Sequence, residues 1–207
     1  MTEMKRRLFL LAAPMILAAL AAGQTRAQQI PLDELSRYFN RDLVTATGEF
    51  TQINADGTIS TGTIQIKRPG RIRFEYAPPD PALVMASGGQ LAIFDPRSNT
   101  GPERYPLSET PLSIILERNV DLAQRNMVTG HSSDGTTTTI RAQDPQNPQF
   151  GSIELVFTAN PTELRQWIIT DDTGQQTTVI LGDLTKGQTI RDRVFNIQAE
   201  MRERGLN

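Results

Sequence analysis

Cysteine is absent from the 207-residue chain, and histidine occurs only once, as His131. Without cysteine the protein cannot form disulfide bonds, thiolate metal sites, a cysteine nucleophile or a lipid-modified N-terminal cysteine. A single histidine excludes most multi-histidine metal centres as well. We therefore expect neither a metal nor any other cofactor.

An excess of positive charge is also missing. The chain contains 21 Lys and Arg residues against 23 Asp and Glu residues, which gives a formal net charge of −2. Proteins that bind nucleic acids usually carry a basic patch and a high isoelectric point. The composition therefore disfavours a nucleic-acid partner.

Recognisable catalytic signatures are absent too. The sequence contains no Gly-x-Ser-x-Gly, no His-Glu-x-x-His and no glycine-rich loop for phosphates or dinucleotides. His131 precedes two serines in a polar stretch, and we interpret it as a solvated strand residue rather than half of a Ser/His pair. The acidic pair Asp171-Asp172 is followed by Thr173-Gly174, which is typical of a hairpin turn. We therefore expect a protein that is not an enzyme.

Residues 1–27 have the three parts of a secretory signal peptide. A basic run precedes an apolar run at 8–22, and Thr25-Arg26-Ala27 then places small residues at the −3 and −1 positions of a cleavage site. The apolar run is shorter than the roughly 20 residues that span a bilayer. We predict a cleaved signal peptide, export to the periplasm or beyond, and a single acidic domain at 28–207.

The remainder of the chain begins with a helical pattern and then changes to a period of two. Leucines and a phenylalanine recur at helical spacing and predict one amphipathic helix over 31–43. Beyond it, short runs rich in Thr, Ile, Val and Phe alternate with turn sequences, which is typical of antiparallel strands. Eleven strands are predicted, at 44–54, 58–68, 71–77, 82–87, 90–95, 102–107, 126–132, 136–142, 151–158, 163–171 and 175–184. Such a meander curls into a barrel or half-barrel, which protects its edges.

One segment interrupts this series of strands. Residues 109–117 predict a short helix, and a second short helical stretch is predicted at about 119–125. The apolar face of the first helix consists of Leu112, Ile115 and Leu116. The C-terminal tail, at about 191–207, is rich in charge and shows no clear apolar period.

Two neighbouring predicted strands share one apolar face. Alternation along the strands places the following residues on it: Ile64, Ile66, Ile72, Phe74 and Tyr76. Arg68 lies on the same face, whereas Arg71, Arg73 and Glu75 are expected to face solvent.

A buried Arg68 is costly unless its guanidinium finds acceptors. Its five donors suit backbone carbonyls at the end of a helix that lies over the sheet. Alternatively, the side chain bends to the rim of the sheet and pairs with an acid such as Glu75 or Asp95. The residues alone leave both arrangements open.

The shared apolar face has two interpretations as well. Helices 31–43 and 109–117 can cover it as a packed core, or they can enclose a cavity for an apolar ligand. Aromatic residues make up only 6% of the chain, and there is one Trp. Since so few large side chains would hardly fill a wide barrel, the composition favours the cavity.

An ordered series of short motifs runs through most of residues 31–185. The series consists of Glu49-Phe50-Thr51-Gln52, Asp56-Gly57, Gly62, Lys67-Arg68-Pro69-Gly70, Phe74-Glu75-Tyr76, Ser87-Gly88-Gly89-Gln90-Leu91, Phe94-Asp95-Pro96 and Thr110-Pro111-Leu112. In this order the motifs resemble those of the LolA family, the periplasmic carriers of outer-membrane lipoproteins.

This resemblance implies a fold and a function. The fold would be mainly β, of the α+β class: an open eleven-stranded antiparallel half-barrel whose N-terminal helix and helical lid, at about 109–125, cover an apolar cavity. The function would be to take triacylated lipoproteins from an inner-membrane transporter of the ATP-binding-cassette type and to pass them to an outer-membrane acceptor lipoprotein. A monomer suffices for such a carrier.

The resemblance also implies roles for individual residues. Arg68 matches the family's strand-end arginine, which hydrogen-bonds to the lid and holds it shut when the cavity is empty. Phe74 matches a large aromatic residue, often Trp, of the third strand. The residues expected to line the acyl-chain cavity are Ile64, Ile66, Ile72, Phe74, Leu35 and Phe39. Those expected on the inner face of the lid are Leu112, Ile115 and Leu116.

The C-terminus departs from the family pattern. Enterobacterial members end in an extra loop and strand linked to one-way transfer, whereas the stretch at 199–204 here is short and charged. Strictly one-way delivery is therefore not implied. Two other functions stay open: a carrier of another lipid or amphiphile, and a lipoprotein-sensing interaction module of the envelope.

Overall fold

The computed structural model describes residues 29–79, 81–123 and 126–206. The predicted signal peptide at 1–27 lies outside the described residues. Among the helices of the described part, none has the length and apolar character needed to cross a membrane.

Within these ranges, twelve antiparallel strands form one sheet. They are β1 (Thr45–Ile53), β2 (Ile59–Lys67), β3 (Arg71–Tyr76), β4 (Leu83–Ser87), β5 (Gln90–Phe94), β6 (Glu103–Pro106), β7 (Val128–Ser133), β8 (Thr137–Ala142), β9 (Ser152–Thr158), β10 (Glu163–Thr170), β11 (Gln176–Leu181) and β12 (Thr185–Lys186). The strand order is β6-β5-β4-β3-β2-β1-β11-β10-β9-β8-β7, and the two-residue β12 pairs beside β11 on β1.

The sheet stays open, because β6 and β7 are the two ends of this path. All eleven predicted strands are present at their predicted positions, and β12 is the one addition among the described residues. The predicted fold class, an open antiparallel half-barrel with few helices, is confirmed.

In the described part of the chain, three short α-helices accompany the sheet: α1 (Leu32–Arg37), α2 (Leu112–Leu116) and α3 (Ile197–Glu203). The helix predicted over 31–43 is α1 followed by a π-helical turn at Tyr38–Asp42. 3₁₀ turns lie at Leu107–Glu109, Pro148–Phe150 and Asp192–Phe195. The helix predicted at 119–125 is wrong for residues 119–123, which are not helical, and residues 124 and 125 are not described.

The main hydrophobic core lies between one face of the sheet, here called the inner face, and the two helices α1 and α2. Ile64, Ile66 and Ile72 are completely buried there. Tyr38, Phe39 and Phe157 pack edge to face, with ring centroids 5.8–5.9 Å apart. Burial of each such side chain stabilises the fold by about 1.5–3 kcal/mol.

A second, smaller core covers the outer face of β4 and β5. Its buried members are Leu83, Met85, Ala92, Phe94, Ile190, Phe195 and Ile197. The tail that we expected to be charged and aperiodic therefore folds back onto the sheet. Its apolar residues follow no single period because a 3₁₀ turn precedes α3, and the Asn196 side chain caps α3 by accepting a hydrogen bond from the Ala199 amide.

The expectation that Arg73 faces solvent is wrong for the same reason. Only 12% of its side chain is exposed, because the tail lies over it. Nη1 of Arg73 donates to the Val194 carbonyl at 3.1 Å and to a Glu200 carboxylate oxygen at 2.9 Å.

Candidate functional site

A glycine allows two aromatic side chains to meet at one end of the inner face. In the strand register, Gly62 of β2 pairs with Phe50 of β1 on one side and with Tyr76 of β3 on the other. The Phe50 and Tyr76 rings pack edge to face with centroids 5.1 Å apart. A Cβ atom at position 62 would lie 2.8 Å from Phe50 Cε1 and would overlap the Glu75 carbonyl oxygen. This close approach explains the glycine.

Next to this aromatic group is an open cavity of about 650 Å³. Its apolar and aromatic lining residues are Phe74, Tyr76, Val84, Leu91, Ile93, Tyr105, Pro111, Leu112, Phe150, Trp167, Ile169 and Val179. Acidic side chains of Glu109, Asp171 and Asp172 also line it. The cavity is thus an apolar space with carboxylates among its lining groups.

Of the six residues predicted to line the cavity, one lines the cavity described above. Phe74 lines the cavity, and its ring packs edge to face on Trp167 with centroids 6.1 Å apart. The other five, Leu35, Phe39, Ile64, Ile66 and Ile72, are buried in the adjoining core. Their contact with an acyl chain stays a prediction.

Sequence reasoning missed Trp167, which is fully buried by its neighbours and still contributes to the cavity wall. Strand alternation could have found it. Trp167 and Ile169 are two residues apart on β10, and Trp167 pairs directly with Val179 of β11. All three residues line the cavity.

Arg68 lies just past the end of β2, and only 7% of it is exposed. Nη1 donates to the Phe39 carbonyl, and Nη2 donates to the Glu117 carbonyl at 2.6 Å. The guanidinium carbon also lies 5.7 Å from the centre of the Phe39 ring. Of the two arrangements that the sequence left open, the structure has the one with backbone carbonyls.

The alternative partners of Arg68 have other ion pairs. Glu75 pairs with Arg73, and Asp95 pairs with Arg97. Burial lowers the pKa of Arg68 to about 10, although the nearby Glu117 carboxylate acts in the opposite direction. The guanidinium is therefore still charged near neutral pH. Among the described residues, none accepts a hydrogen bond from Nε of Arg68.

The segment that Arg68 holds is the 3₁₀ turn Leu107–Glu109, α2 and the residues up to 123, here called the lid. The predicted inner-face residues of α2 are all buried: Leu112, Ile115 and Leu116. Ile114 is buried as well, so Ser113 is the one half-buried residue of this helix. The Gly70 amide donates to the Leu116 carbonyl at 2.8 Å, which gives α2 a second attachment beside Arg68.

Asn40 is a further contact residue that sequence reasoning missed. Its Nδ2 donates to the Val120 carbonyl at 2.8 Å, and its Oδ1 accepts from the Val120 amide at 3.0 Å. The Leu122 amide donates to Ser36 Oγ at 3.0 Å. Because these partners are 80 and 86 residues apart in sequence, no local pattern points to them.

The residues that we discounted as catalytic make structural contacts. His131 is half-buried rather than solvated, and its Nε2 lies 2.9 Å from the Ile30 carbonyl oxygen. A carboxylate oxygen of Asp171 accepts from the Thr173 and Gln175 amides, as expected for a hairpin turn. Within the described ranges, no group of three or more His, Cys, Asp or Glu residues could hold a metal ion.

Comparison with known protein sequences points to one family. The family described as outer membrane lipoprotein carrier protein LolA matches residues 41–198. An outer-membrane lipoprotein carrier protein of Hahella chejuensis is 25% identical over 191 residues, which cover 87% of this chain and 90% of that protein. One from Methylobacillus flagellatus is 23% identical over 197 residues, which cover 90% and 93%.

Among solved structures, a LolA superfamily protein from Nitrosomonas europaea is similar over 80% of this chain and 95% of its own, with 11% identity and a TM-score of 0.46. The sequence match carries the assignment, because it extends over most of the chain. This chain belongs to the LolA family.

Proposed function

We propose that this protein is a non-enzymatic periplasmic carrier that binds the acyl chains of triacylated lipoproteins in the cavity under its lid. The observation that carries the proposal is the apolar cavity of about 650 Å³ beside a lid that a buried arginine holds in place. The names of the relatives, outer-membrane lipoprotein carrier proteins, support the same cargo.

The cavity wall suits an acyl chain. Phe74, Trp167 and Leu112 supply apolar surface, and each methylene group that leaves water for such surface gains about 0.8 kcal/mol. A lipid anchor with several long chains therefore has enough free energy available to displace weak protein contacts.

The lid contacts are weak enough to be displaced in this way. Arg68 makes two hydrogen bonds to backbone carbonyls, of Phe39 and Glu117. Hydrogen bonds from a charged donor stabilise by about 1.5–3 kcal/mol each. Arg68 then acts as a latch that keeps the empty carrier closed and gives way when cargo arrives.

The carrier needs a donor and an acceptor. In keeping with the family's role, we infer that an inner-membrane complex of the ATP-binding-cassette type supplies the lipoprotein and that an outer-membrane lipoprotein accepts it. The predicted signal peptide at 1–27 would bring the protein to the periplasm, where residues 28–207 act as a monomeric carrier domain.

The test is to express the protein with its signal sequence together with an excess of one lipoprotein, purify it from the periplasm and analyse bound molecules by mass spectrometry. A stoichiometric triacylated lipoprotein is the expected result. A bound phospholipid or other amphiphile would instead indicate a general lipid carrier. An empty protein that also fails to bind a fluorescent acyl probe would overturn the proposal in favour of an interaction module.

Charged substitutions in the lid test its role in binding, and the same change on β11 is their matched control. Leu112→Asp and Ile115→Asp place a carboxylate on the buried face of α2 and should abolish lipoprotein recovery. Ile180→Asp makes the same chemical change on a 39% exposed side chain of β11. Recovery that persists in both lid variants, or that is lost equally in the Ile180 variant, would contradict a role of the lid in binding.

A further inference from the structure

Beyond its first residue, where the Leu107 amide donates to the Gly89 carbonyl at 2.8 Å, hydrogen bonds attach the lid to the rest of the protein at two places. Its front half, 107–117, is held at α2 by the turn between β2 and β3, through Arg68 and Gly70. Its rear half, 118–123, is held by α1 and the π-helical turn, through Ser36 and Asn40. The lid residues that line the cavity, Glu109 to Leu112, all belong to the front half.

The Asn40 side chain binds the rear half with the paired donor and acceptor that a residue of a neighbouring β-strand would use. Its amide group donates to and accepts from the same residue, Val120, at 2.8 and 3.0 Å. This pairing also determines the orientation of the amide, because the opposite orientation would place two donors against each other at the Val120 amide. The Oδ1 atom lies 3.4 Å from Nη2 of Arg68, a long contact next to the 2.6 Å bond between Nη2 and Glu117.

The side chains of the rear half add to this attachment. Val120 and Leu122 are buried in the main core, and the Leu122 amide has its own acceptor in Ser36. The rear half therefore has three hydrogen bonds and two buried apolar side chains, and of the residues that make these contacts only Asn40 also touches Arg68, at 3.4 Å.

From this arrangement we infer that Asn40 is a positioning residue that anchors the rear half of the lid, so that the front half alone moves when cargo binds. The inference rests on the proposed function for the identity of the cargo. Residues 118–123 then form the fixed end about which α2 turns. Arg68 releases the front half, while Asn40 retains the rear half.

Amide hydrogen exchange, measured by NMR on the unliganded protein, separates the two attachments. The Gly70 amide reports on the front half, the Val120 and Leu122 amides report on the rear half, and the Trp167 amide of β10 serves as the core reference. In Asn40→Ala, exchange at Val120 and Leu122 should become about tenfold faster relative to Trp167, with Gly70 unchanged. In Arg68→Leu, exchange at Gly70 should become faster relative to Trp167, while exchange at Val120 and Leu122 should be unchanged.

Two further variants keep the test decisive. Asn40→Asp retains an acceptor for the Val120 amide but loses the donor, so its effect should be smaller than that of Asn40→Ala. Asn119→Ala, at an exposed neighbour, should change neither half. Acceleration at Val120 alone would reduce Asn40 to a local contact, and equal acceleration at Gly70 would mean that the lid moves as one body. Either result overturns the inference.

A final measurement adds a triacylated lipopeptide to the wild-type protein. Exchange at Gly70 should accelerate while Val120 and Leu122 stay protected. Acceleration at all three amides would overturn the anchor. If the lipopeptide does not bind at all, the proposed function fails, whereas the result on the unliganded variants still decides the role of Asn40.

Discussion

At the scale of single residues, one glycine positions an aromatic side chain of the cavity wall. Gly62 has no side chain, and the space it leaves is occupied by the Phe50 ring and by the backbone of β3 at Glu75. The Phe50 ring in turn packs edge to face on Phe74, which lines the cavity, with centroids 5.2 Å apart. A glycine thus positions a cavity residue through one intervening ring.

Gly62→Ala should therefore destabilise the protein. The new methyl group collides with the Glu75 backbone, so β2 and β3 must separate, and we expect a loss of about 1–3 kcal/mol in the free energy of unfolding. Urea denaturation measures it. Gly130→Ala is the matched control, because a Cβ atom on this β7 glycine would meet only Arg141 Cβ at an ordinary 3.5 Å. Equal stability of the two variants would contradict the steric argument.

The sequence allowed part of the site to be predicted, and the reason differs from residue to residue. The position of Phe74 and of Arg68 on the apolar face follows from alternation along two adjacent strands, which is a local property, whereas alternation left open whether Arg68 is buried. The role of Asn40 could not be predicted in this way, since its partner Val120 is 80 residues away and an asparagine on an exposed helical position is common in proteins. The open cavity depends on how far the lid and sheet stand apart, and no local pattern records that distance.

At the scale of elements, the turn between β2 and β3, together with the strand ends that flank it, holds a different element on each face of the sheet. On the inner face, Arg68 and Gly70 attach the lid. On the outer face, Lys67 and Arg71 both reach one carboxylate oxygen of Asp192, at 2.6 and 2.7 Å. The strands could be predicted because turn residues separate them. The tail could not, since its packing depends on these distant charges.

The charges of the tail predict a pH dependence. Burial alone would raise the pKa of Glu200, but the guanidinium groups of Arg204 and Arg73 outweigh it, so this pKa lies below its ordinary value. The hydrogen bond and charge of Lys67, with the charge of Arg71, lower the pKa of Asp192. Carboxylates of this kind stabilise the fold above their unfolded pKa and lose that contribution as the pH falls through the folded value.

We therefore expect Glu200→Gln to lower the free energy of unfolding by about 1–3 kcal/mol near pH 7. The difference from wild type should shrink as the pH falls below about 4, where the wild-type carboxylate becomes neutral as well. Urea denaturation between pH 7 and 3 measures both quantities. Asp172→Asn, at an exposed turn residue, should show no such difference. A constant difference for Glu200→Gln over the whole range would mean that its ion pairs do not stabilise the tail.

At the scale of the whole molecule, the size of the cavity limits what the closed form can hold. Its volume of about 650 Å³ lies in the range of roughly 300–1,000 Å³ that normally accommodates one drug-sized ligand. A triacylated anchor carries three long chains and should need more space. On the proposed function, the closed form would then admit one chain, and the complete anchor would require the lid to move.

If Arg68 is the proposed latch, its removal should affect the two ligands differently. Arg68→Leu should bind a triacylated lipopeptide at least about tenfold more tightly, because the empty form no longer loses the Arg68 hydrogen bonds on opening. Its affinity for a single-chain fatty acid should be nearly unchanged. Displacement of a fluorescent acyl probe measures both affinities, and thermal denaturation checks that the variant is folded. Unchanged binding and release of the lipopeptide would show that Arg68 is not a latch.

The strand order has a consequence for how the chain acquires its structure. On the eleven-strand path, every pair of neighbours is consecutive in sequence except β1 and β11. The meanders β1–β6 and β7–β11 can each form from local hairpins, but their union must close a loop of more than a hundred residues between Ile53 and Gln176. Since non-local pairings form slowly, the β1–β11 junction should be the last step of folding, and until then each half exposes an extra unpaired edge.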